Sequence, residues 1–215
     1  MAERCYHQFC GVAKALDVVG ERWTLLIVRD LLLGGRRFSD LLSAMPGLTP
    51  NLLSRRLKQM QESELITQER LPAPHKATLY TLTERGRQLE PVVLALGRFG
   101  QQWLTAPGPE DRVDPRWAMV SLKRRYLGCP RPWTVGLHLP WRELAFTVVL
   151  GGETLEVCDG APASPDLRLE ATQPAFAGFL FRGQSGRALV ESGELKREGP
   201  ARALADFARA FGITP

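Results

Sequence analysis

The fold is decided by residues 38–63, which read FSDLLSAMPGLTPNLLSRRLKQMQES. The first part of this stretch predicts a short helix, and Pro46-Gly47 predicts a tight turn after it. Thr49 is a good N-cap, and Pro50 suits the first position of a helix that continues to the end of the stretch. The sequence therefore predicts a helix, a tight turn and a second helix.

The second helix has one apolar face and one polar face. Leu53, Leu57 and Met60 recur at helical spacing and predict a buried stripe. The polar residues, all hydrogen-bond donors, are Asn51, Ser54, Arg55, Arg56 and Lys58. A helix fits the DNA major groove, where Asn pairs with adenine, Arg with guanine, and Lys and Ser hold phosphates. A merely solvated polar face is the alternative interpretation.

Cationic residues flank this helix on both sides in the sequence. Arg36 and Arg37 follow a Gly-Gly helix stop, and two predicted strands, Leu65 to Leu71 and Thr78 to Thr83, follow the helix. The loop that joins the strands carries His75 and Lys76, so it predicts a hairpin with a basic tip. Thr49 lies at the helix N-terminus, whose positive dipole end favours a phosphate. Together these groups favour DNA as the partner over a solvated surface.

The remaining pattern of the first half is helical. Val12 to Val19 and Trp23 to Leu33 predict two helices ahead of the decisive stretch. Thr83 is a good cap for a long amphipathic helix, in which Pro91 predicts a kink or a restart. The apolar stripe of that helix consists of Leu89, Val92, Val93, Leu96, Phe99 and Trp103.

Composition narrows the function classes. The chain has 215 residues, 44% of them hydrophobic and 24% charged, which is typical of a folded soluble protein. Its net charge is +5; residues 1–105 hold 14 Lys and Arg against 10 Asp and Glu, whereas residues 106–215 hold 14 against 13. We expect a cytoplasmic protein, because no apolar run is long enough to span a membrane and the N-terminus lacks a signal-peptide pattern.

An enzyme is not expected. The chain has no phosphate-binding loop, no nucleophile elbow and no His-Glu-x-x-His helix, and the run Gly183-Gln184-Ser185-Gly186 departs from the elbow spacing. We therefore expect no catalytic residues and no cofactor.

The first half resembles the HxlR family of winged-helix regulators. The resemblance is carried by Cys10, residues 15–20 (ALDVVG), 22–27 (RWTLLI), 36–41 (RRFSDL), 49–54 (TPNLLS) and 80–86 (YTLTERG). It implies a homodimer in which the first helix and the long helix after the wing pack against their partners, burying Leu96, Phe99 and Trp103. Such a dimer would read a palindromic, inverted-repeat operator in double-stranded DNA and act as a repressor if it occludes a promoter.

The cysteines are too few and too unevenly spaced for a disulfide framework. Cys10 matches the position at which some members of the HxlR family keep an oxidant- or electrophile-sensing cysteine, and a helix N-terminus lowers a thiol pKa. A chemically quiet residue packed at the dimer interface is the alternative. Cys5, His7 and Cys10 lack a second ligand cluster at a recognised spacing, so no metal site is expected.

The second half predicts an α+β domain. Helix-breaking residues place a linker at 105–113, between an N-terminal domain at 1–104 and a C-terminal domain at 114–215. A helix from Asp114-Pro115 to Gly128 precedes strand-like runs at 134–139, 144–150, 154–158, 166–170 and 193–196, which predict an antiparallel sheet, with helices opening at Pro174 and Pro200. The order of elements resembles the sterol-carrier-protein fold, which commonly shelters a hydrophobic ligand.

That second resemblance implies a candidate ligand pocket, which would consist of Phe176, Phe179, Leu180, Phe207 and Phe211. Ordinary core packing is the alternative for these residues. The whole chain is thus predicted as α+β: a winged helix-turn-helix, mainly α with a β-hairpin wing, followed by the sterol-carrier-like domain.

The predicted function is a DNA-binding transcriptional regulator that responds to a hydrophobic ligand or a thiol-reactive signal. The alternative is a hydrophobic-ligand carrier or protein-interaction module whose winged helix contacts a protein. A protein-binding surface would be expected to carry exposed aromatic anchors, whereas this helix and wing are cationic. Weak, salt-insensitive DNA binding would favour that alternative.

Overall fold

The computed structural model describes residues 5–71, 77–104, 108 and 110–214. The chain divides into two compact units, Met1–Trp117 and Ala118–Pro215. The predicted linker at 105–113 falls partly outside the described residues, so its bounds remain a prediction. No helix in the described ranges has the length and apolar character that crossing a membrane requires.

The N-terminal unit is a winged helix-turn-helix. Its helices are α1 (Gly11–Val19), α2 (Thr24–Leu31), α3 (Phe38–Ala44), α4 (Pro50–Glu62), α5 (Glu84–Arg87) and α6 (Glu90–Gly100). Its strands are β1 (Arg36–Arg37), β2 (Ile66–Arg70) and β3 (Thr78–Leu82), which form an antiparallel sheet in the order β1-β3-β2. Strand β1 was not predicted, because a two-residue strand carries no periodic signal.

The core of this unit lies where the helices meet. Ile27 and Leu31 of α2, Leu41 of α3, and Leu53 and Leu57 of α4 are all almost completely buried. The predicted stripe on α4 is therefore confirmed.

The long helix after the wing is interrupted. α5 ends at Arg87 and α6 begins at Glu90, with Pro91 in its first turn. Proline has no N–H to donate, so it fits the first turn of a new helix better than the interior of a continuous one. Of the two outcomes predicted for Pro91, the structure shows the restart.

The C-terminal unit is a mixed five-stranded sheet with helices. Its strands are β4 (Trp133–Leu139), β5 (Leu144–Gly151), β6 (Thr154–Asp159), β7 (Leu167–Ala171) and β8 (Leu195–Glu198), in the order β6-β5-β4-β7-β8. Its helices are α8 (Gln173–Phe181), α9 (Gly186–Glu191) and α10 (Ala201–Ala210), and α7 (Pro115–Leu122) runs across the boundary between the two units.

Two predictions for this unit are wrong in detail. The sheet is not antiparallel throughout, because β7 returns beside β4 in the same direction and the two strands pair in parallel. The helix that begins at Pro115 ends at Leu122 rather than at Gly128. After it, Lys123, Arg124 and Arg125 each donate a backbone hydrogen bond to the carbonyl three residues earlier, which tightens the chain into a turn.

The sheet of the C-terminal unit has two different faces. On one face alternate residues of the central strands, such as Val135, Phe146 and Leu169, are buried. The Trp133 ring on this face lies 6.4 Å from that of Phe207 on α10. The opposite face carries polar and small side chains, including Gly136 on β4. This alternation is what a half-covered sheet requires.

Candidate nucleic-acid interface

Helix α4 carries the polar face predicted from the sequence. The Thr49 side chain caps it by accepting a hydrogen bond from the Leu52 N–H at 3.3 Å, and Pro50 occupies the first helical position. Both local signals thus fix where the helix begins. Asn51, in its first turn, is exposed.

The polar residues along α4 divide into exposed and buried. Ser54, Arg55 and Lys58 are exposed, and Lys58 forms a surface ion pair with Glu62 at 3.8 Å. A single exposed pair at this distance contributes little to stability. With Asn51, these side chains form one donor-rich surface, called here the recognition face (Asn51, Ser54, Arg55 and Lys58).

Arg56 does not belong to the recognition face. Its side chain is only 5% exposed; Nη2 donates to Glu21 Oε2 at 2.8 Å and Nη1 donates to Gln59 Oε1 at 2.7 Å. Arg56 follows Leu53 by three residues, which places it over the buried stripe of α4. The prediction that Arg56 contacts DNA is therefore wrong, because this residue ties α4 to the segment before α2. The three-residue spacing was the signal that could have shown this.

The two arginines of β1 differ in the same way. The Arg36 side chain is 10% exposed, and its Nε lies 4.0 Å from Asp40 Oδ2. Arg37 is exposed, because successive strand residues point to opposite sides of the sheet. The prediction is therefore corrected at Arg36: Arg37 is the accessible cation beside the helix-turn-helix.

The wing is described only at its base. Strands β2 and β3 pair in register from Ile66 with Leu82 to Arg70 with Thr78. The predicted tip residues His75 and Lys76 lie outside the described residues, so their contacts stay predictions. Arg70 is exposed at the end of β2 and was not selected from the sequence, because a single cation in a strand gives no motif.

A second surface of the N-terminal unit is apolar. Leu96, Phe99 and Trp103 are 47%, 64% and 64% exposed, and the Phe99 and Trp103 rings meet edge to face with centroids 4.9 Å apart. Val12 and Leu16 of α1 are also exposed. These are the two helices that the family resemblance assigns to the dimer contact.

Cys10 precedes the first residue of α1 and is exposed. Backbone N–H groups of Ala13 and Val12 hold the pKa of its thiol below the ordinary value. The free N–H groups at a helix start stabilise a thiolate in this way. Cys5 lies in a different setting, where its Sγ is 3.5 Å from Lys14 Nζ and 3.4 Å from Asp17 Oδ2.

The side chains predicted to line a hydrophobic pocket form a compact aromatic group. Phe176, Phe179, Leu180, Phe207 and Phe211 are all at most 7% exposed. Ring centroids are 6.2 Å apart between Phe179 and Phe207, and 4.9 Å apart between Phe207 and Phe211. Such mutual packing favours the core interpretation of this group.

Comparisons with known proteins match the N-terminal half. The sequence model of the HxlR-like helix-turn-helix family matches residues 18–107. An HTH-type transcriptional regulator of Synechocystis is 32% identical over 105 residues, which are 48% of this chain and 78% of that protein. The HTH-type transcriptional regulator YodB of Bacillus subtilis is 30% identical over 89 residues, which are 41% of this chain and 80% of that protein.

Among solved structures, the redox regulator HypR in its reduced form is similar to this chain, and the aligned region covers 43% of this chain and 92% of the HypR chain. The sequence identity is 28% and the TM-score is 0.41. The family model leaves the C-terminal unit unmatched.

Proposed function

The chain belongs to the HxlR-like helix-turn-helix family of transcriptional regulators, and on this basis we propose that it represses transcription by binding an inverted-repeat operator as a homodimer. In this proposal the N-terminal unit reads DNA in the cytoplasm, and the signal is received either at Cys10 of that unit or by the C-terminal unit. No catalytic step is involved.

The observation that carries the proposal is the recognition face. Asn51 and Arg55 are exposed on α4, and the buried stripe of the same helix fixes their direction. An Asn amide and an Arg guanidinium can each form two hydrogen bonds with the edge of one base, adenine and guanine respectively. Ser54 and Lys58 beside them are suited to phosphates. The exposed Arg37 supplies a further cation for the DNA backbone.

The apolar surface on α1 and α6 supports the homodimer. The exposed Phe99 of α6 and Trp103, in the turn that follows α6, would lose contact with water if a second copy of the chain covered them. The two recognition helices of a symmetric dimer would then insert into successive major grooves, about 34 Å apart. Occupation of such a site in a promoter would exclude polymerase.

Two signals fit the proposal. Electrophiles or oxidants would react with the exposed Cys10 thiol, whose lowered pKa favours the reactive thiolate. A hydrophobic ligand would instead have to displace packed side chains of the aromatic group around Phe207, the site that the sterol-carrier resemblance implies. Either signal would act by changing the spacing or orientation of the two recognition helices.

The test is selection of genomic DNA fragments by the purified full-length protein at two salt concentrations. The control is the double variant Asn51→Ala/Arg55→Ala, whose two changes lie on the exposed face and leave the buried stripe intact. The proposal expects a shared inverted repeat that the wild type selects and the control loses. Selection without a shared motif, equal in wild type and control, would contradict it.

The salt dependence of DNA affinity distinguishes this function from the alternative, a lipid carrier or protein-interaction module. Contacts of Lys and Arg with phosphates release counterions, so DNA affinity should fall steeply as salt rises. Affinity that is weak and insensitive to salt would favour the alternative.

A further inference from the structure

A cavity of about 360 Å³ opens on the face of the C-terminal sheet that carries polar and small side chains. It lies over strands β4, β7 and β8, beside the loop of residues 160–166 that joins β6 to β7. The aromatic group around Phe207 packs on the other face of the same sheet. The two candidate ligand sites are therefore distinct.

The apolar side of the cavity is built from small and rigid residues. Gly136 of β4, Ala145 of β5, Pro162 and Pro165 line it. Pro162 lies directly over Gly136, since a Cβ built at that glycine would approach Pro162 Cγ and Cδ to 3.1 Å. A proline-rich loop thus packs against β4 at the position that has no side chain, and this contact gives the cavity a rigid apolar wall. A wall of this kind suits a flat apolar body.

The polar side of the cavity is a row of polar and charged side chains across three strands. His138, Glu170 and Lys196 are cross-strand neighbours. Lys196 Nζ donates to Glu170 Oε1 at 2.6 Å, and His138 Nδ1 lies 3.2 Å from Glu170 Oε2. Both carboxylate oxygens of Glu170 therefore have partners. The hydrogen bond from Lys196, and to a smaller extent the one with His138, holds the pKa of Glu170 below its ordinary value. This carboxylate is already neutralised and offers little to a cationic ligand.

Arg168 is the cation in the cavity with the weakest contacts. Its Nε is 4.0 Å from Glu198 Oε2, and its Nη2 is 3.4 Å from the Ala163 carbonyl. The side chain is 55% exposed, and Glu198 is 81% exposed at the rim. A guanidinium held this loosely can turn two parallel N–H groups toward a carboxylate. The resulting pair of hydrogen bonds is much stronger than a single long contact.

We propose that this cavity binds a small organic carboxylate with a flat apolar body. The carboxylate pairs with Arg168, and the apolar body lies against Pro162 and Pro165. A bare inorganic anion would leave the apolar wall unused, and a neutral apolar molecule would leave Arg168 with only its two long contacts to Glu198 and Ala163. The site lies wholly within the C-terminal unit, so it does not depend on DNA binding.

The test is calorimetric titration of the full-length protein with 2-naphthoate and, as a matched neutral probe, 2-naphthamide. We expect naphthoate to bind with a Kd of about 0.1–1 mM, as its size allows, and the amide to bind about tenfold more weakly because it lacks the charge. Arg168→Gln should reduce naphthoate affinity about tenfold and leave that of the amide unchanged.

Two further variants complete the test. Arg187→Gln removes an exposed arginine of α9 that is ion-paired with Glu191 outside the cavity, and it should bind naphthoate as the wild type does. Ala145→Phe should fill the cavity and abolish binding of both probes, with the fold checked by circular dichroism. Equal affinity for the two probes, an Arg168→Gln variant that binds like wild type, or no naphthoate binding at about 5 mM would overturn the proposal. None of these results bears on DNA selection.

Discussion

Two neighbouring arginines on α4 should have different roles, one in stability and one in DNA binding. Arg56 is buried and bonded to Glu21 and Gln59, whereas Arg55 is exposed. Arg56→Met keeps an unbranched apolar stem and removes both hydrogen bonds. Arg55→Met makes the same chemical change one residue away, and so serves as its matched control.

The magnitude follows from what each change leaves behind. Removing one partner of a fully buried ion pair costs about 3–5 kcal/mol, because the other charge stays buried alone. The Glu21 side chain is 41% exposed and regains water, so we expect about 2 kcal/mol for Arg56→Met. With a denaturant slope of about 2 kcal/mol per M, the transition that unfolds α4 should move down by about 1 M urea. Arg55→Met should change the stability by less than about 0.5 kcal/mol.

The assay pairs urea unfolding, at fixed protein concentration, with fluorescence anisotropy on a DNA fragment from the genomic selection. Arg55→Met should bind that fragment about tenfold or more weakly and discriminate less between bases. Arg56→Met should keep the base preference of the wild type under conditions where it is folded. A structural role for Arg56 is refuted if Arg56→Met unfolds at the wild-type urea concentration and also changes the base preference.

Three further predictions concern other surfaces. Phe99→Asp should convert a dimer into a monomer, because a charge would be buried at the proposed interface; light scattering that still reports a dimer would contradict this. Cys10 should react with iodoacetamide faster than Cys129, a half-buried cysteine of the C-terminal unit, at neutral pH, because the lowered pKa of Cys10 increases its thiolate fraction; equal rates by mass spectrometry would oppose this. The pKa of Glu170 is lowered, mainly by Lys196, so the ionised Glu170 should stabilise the fold above the ordinary glutamate pKa, and this stabilisation should be lost as pH falls through the lower folded pKa. The stability difference between wild type and Glu170→Gln, followed by thermal unfolding, should shrink over that range. A difference that stays constant would refute the lowered pKa of Glu170.

The decisive helix was predictable because two independent local signals agreed. Thr49 and Pro50 mark where α4 begins, and Leu53 and Leu57 fix the side it buries. Once that side is known, the direction of Asn51 follows from helix geometry alone. The exposed half of the candidate interface could therefore be derived from the sequence.

The predictions for Arg56 and Arg36 were wrong because contacts with residues distant in sequence, rather than the local residue pattern, determine their burial. Arg56 is charged, and charged residues are rarely buried unless they are paired; its partner Glu21 lies 35 residues earlier in the chain. The strand pair at Arg36 and Tyr80 likewise joins residues far apart in sequence. Local periodicity contains no information about such pairings.

The C-terminal unit shows the same limit. Its strands were located from alternation, but the parallel pairing of β7 with β4 depends on the path of the chain between them. The cavity beside Arg168 was also not predicted. It arises from cross-strand neighbours on three strands and a loop over Gly136, none of which forms a motif in the sequence.

Hydroxyl-radical footprinting on a selected DNA fragment tests the central claim most directly. A homodimer with one α4 in each of two successive major grooves should protect two symmetric patches about 10 base pairs apart, and Asn51→Ala/Arg55→Ala should lose both patches together. A single asymmetric patch, or protection that the double variant retains, would contradict the proposal that this chain binds DNA as a dimer through α4.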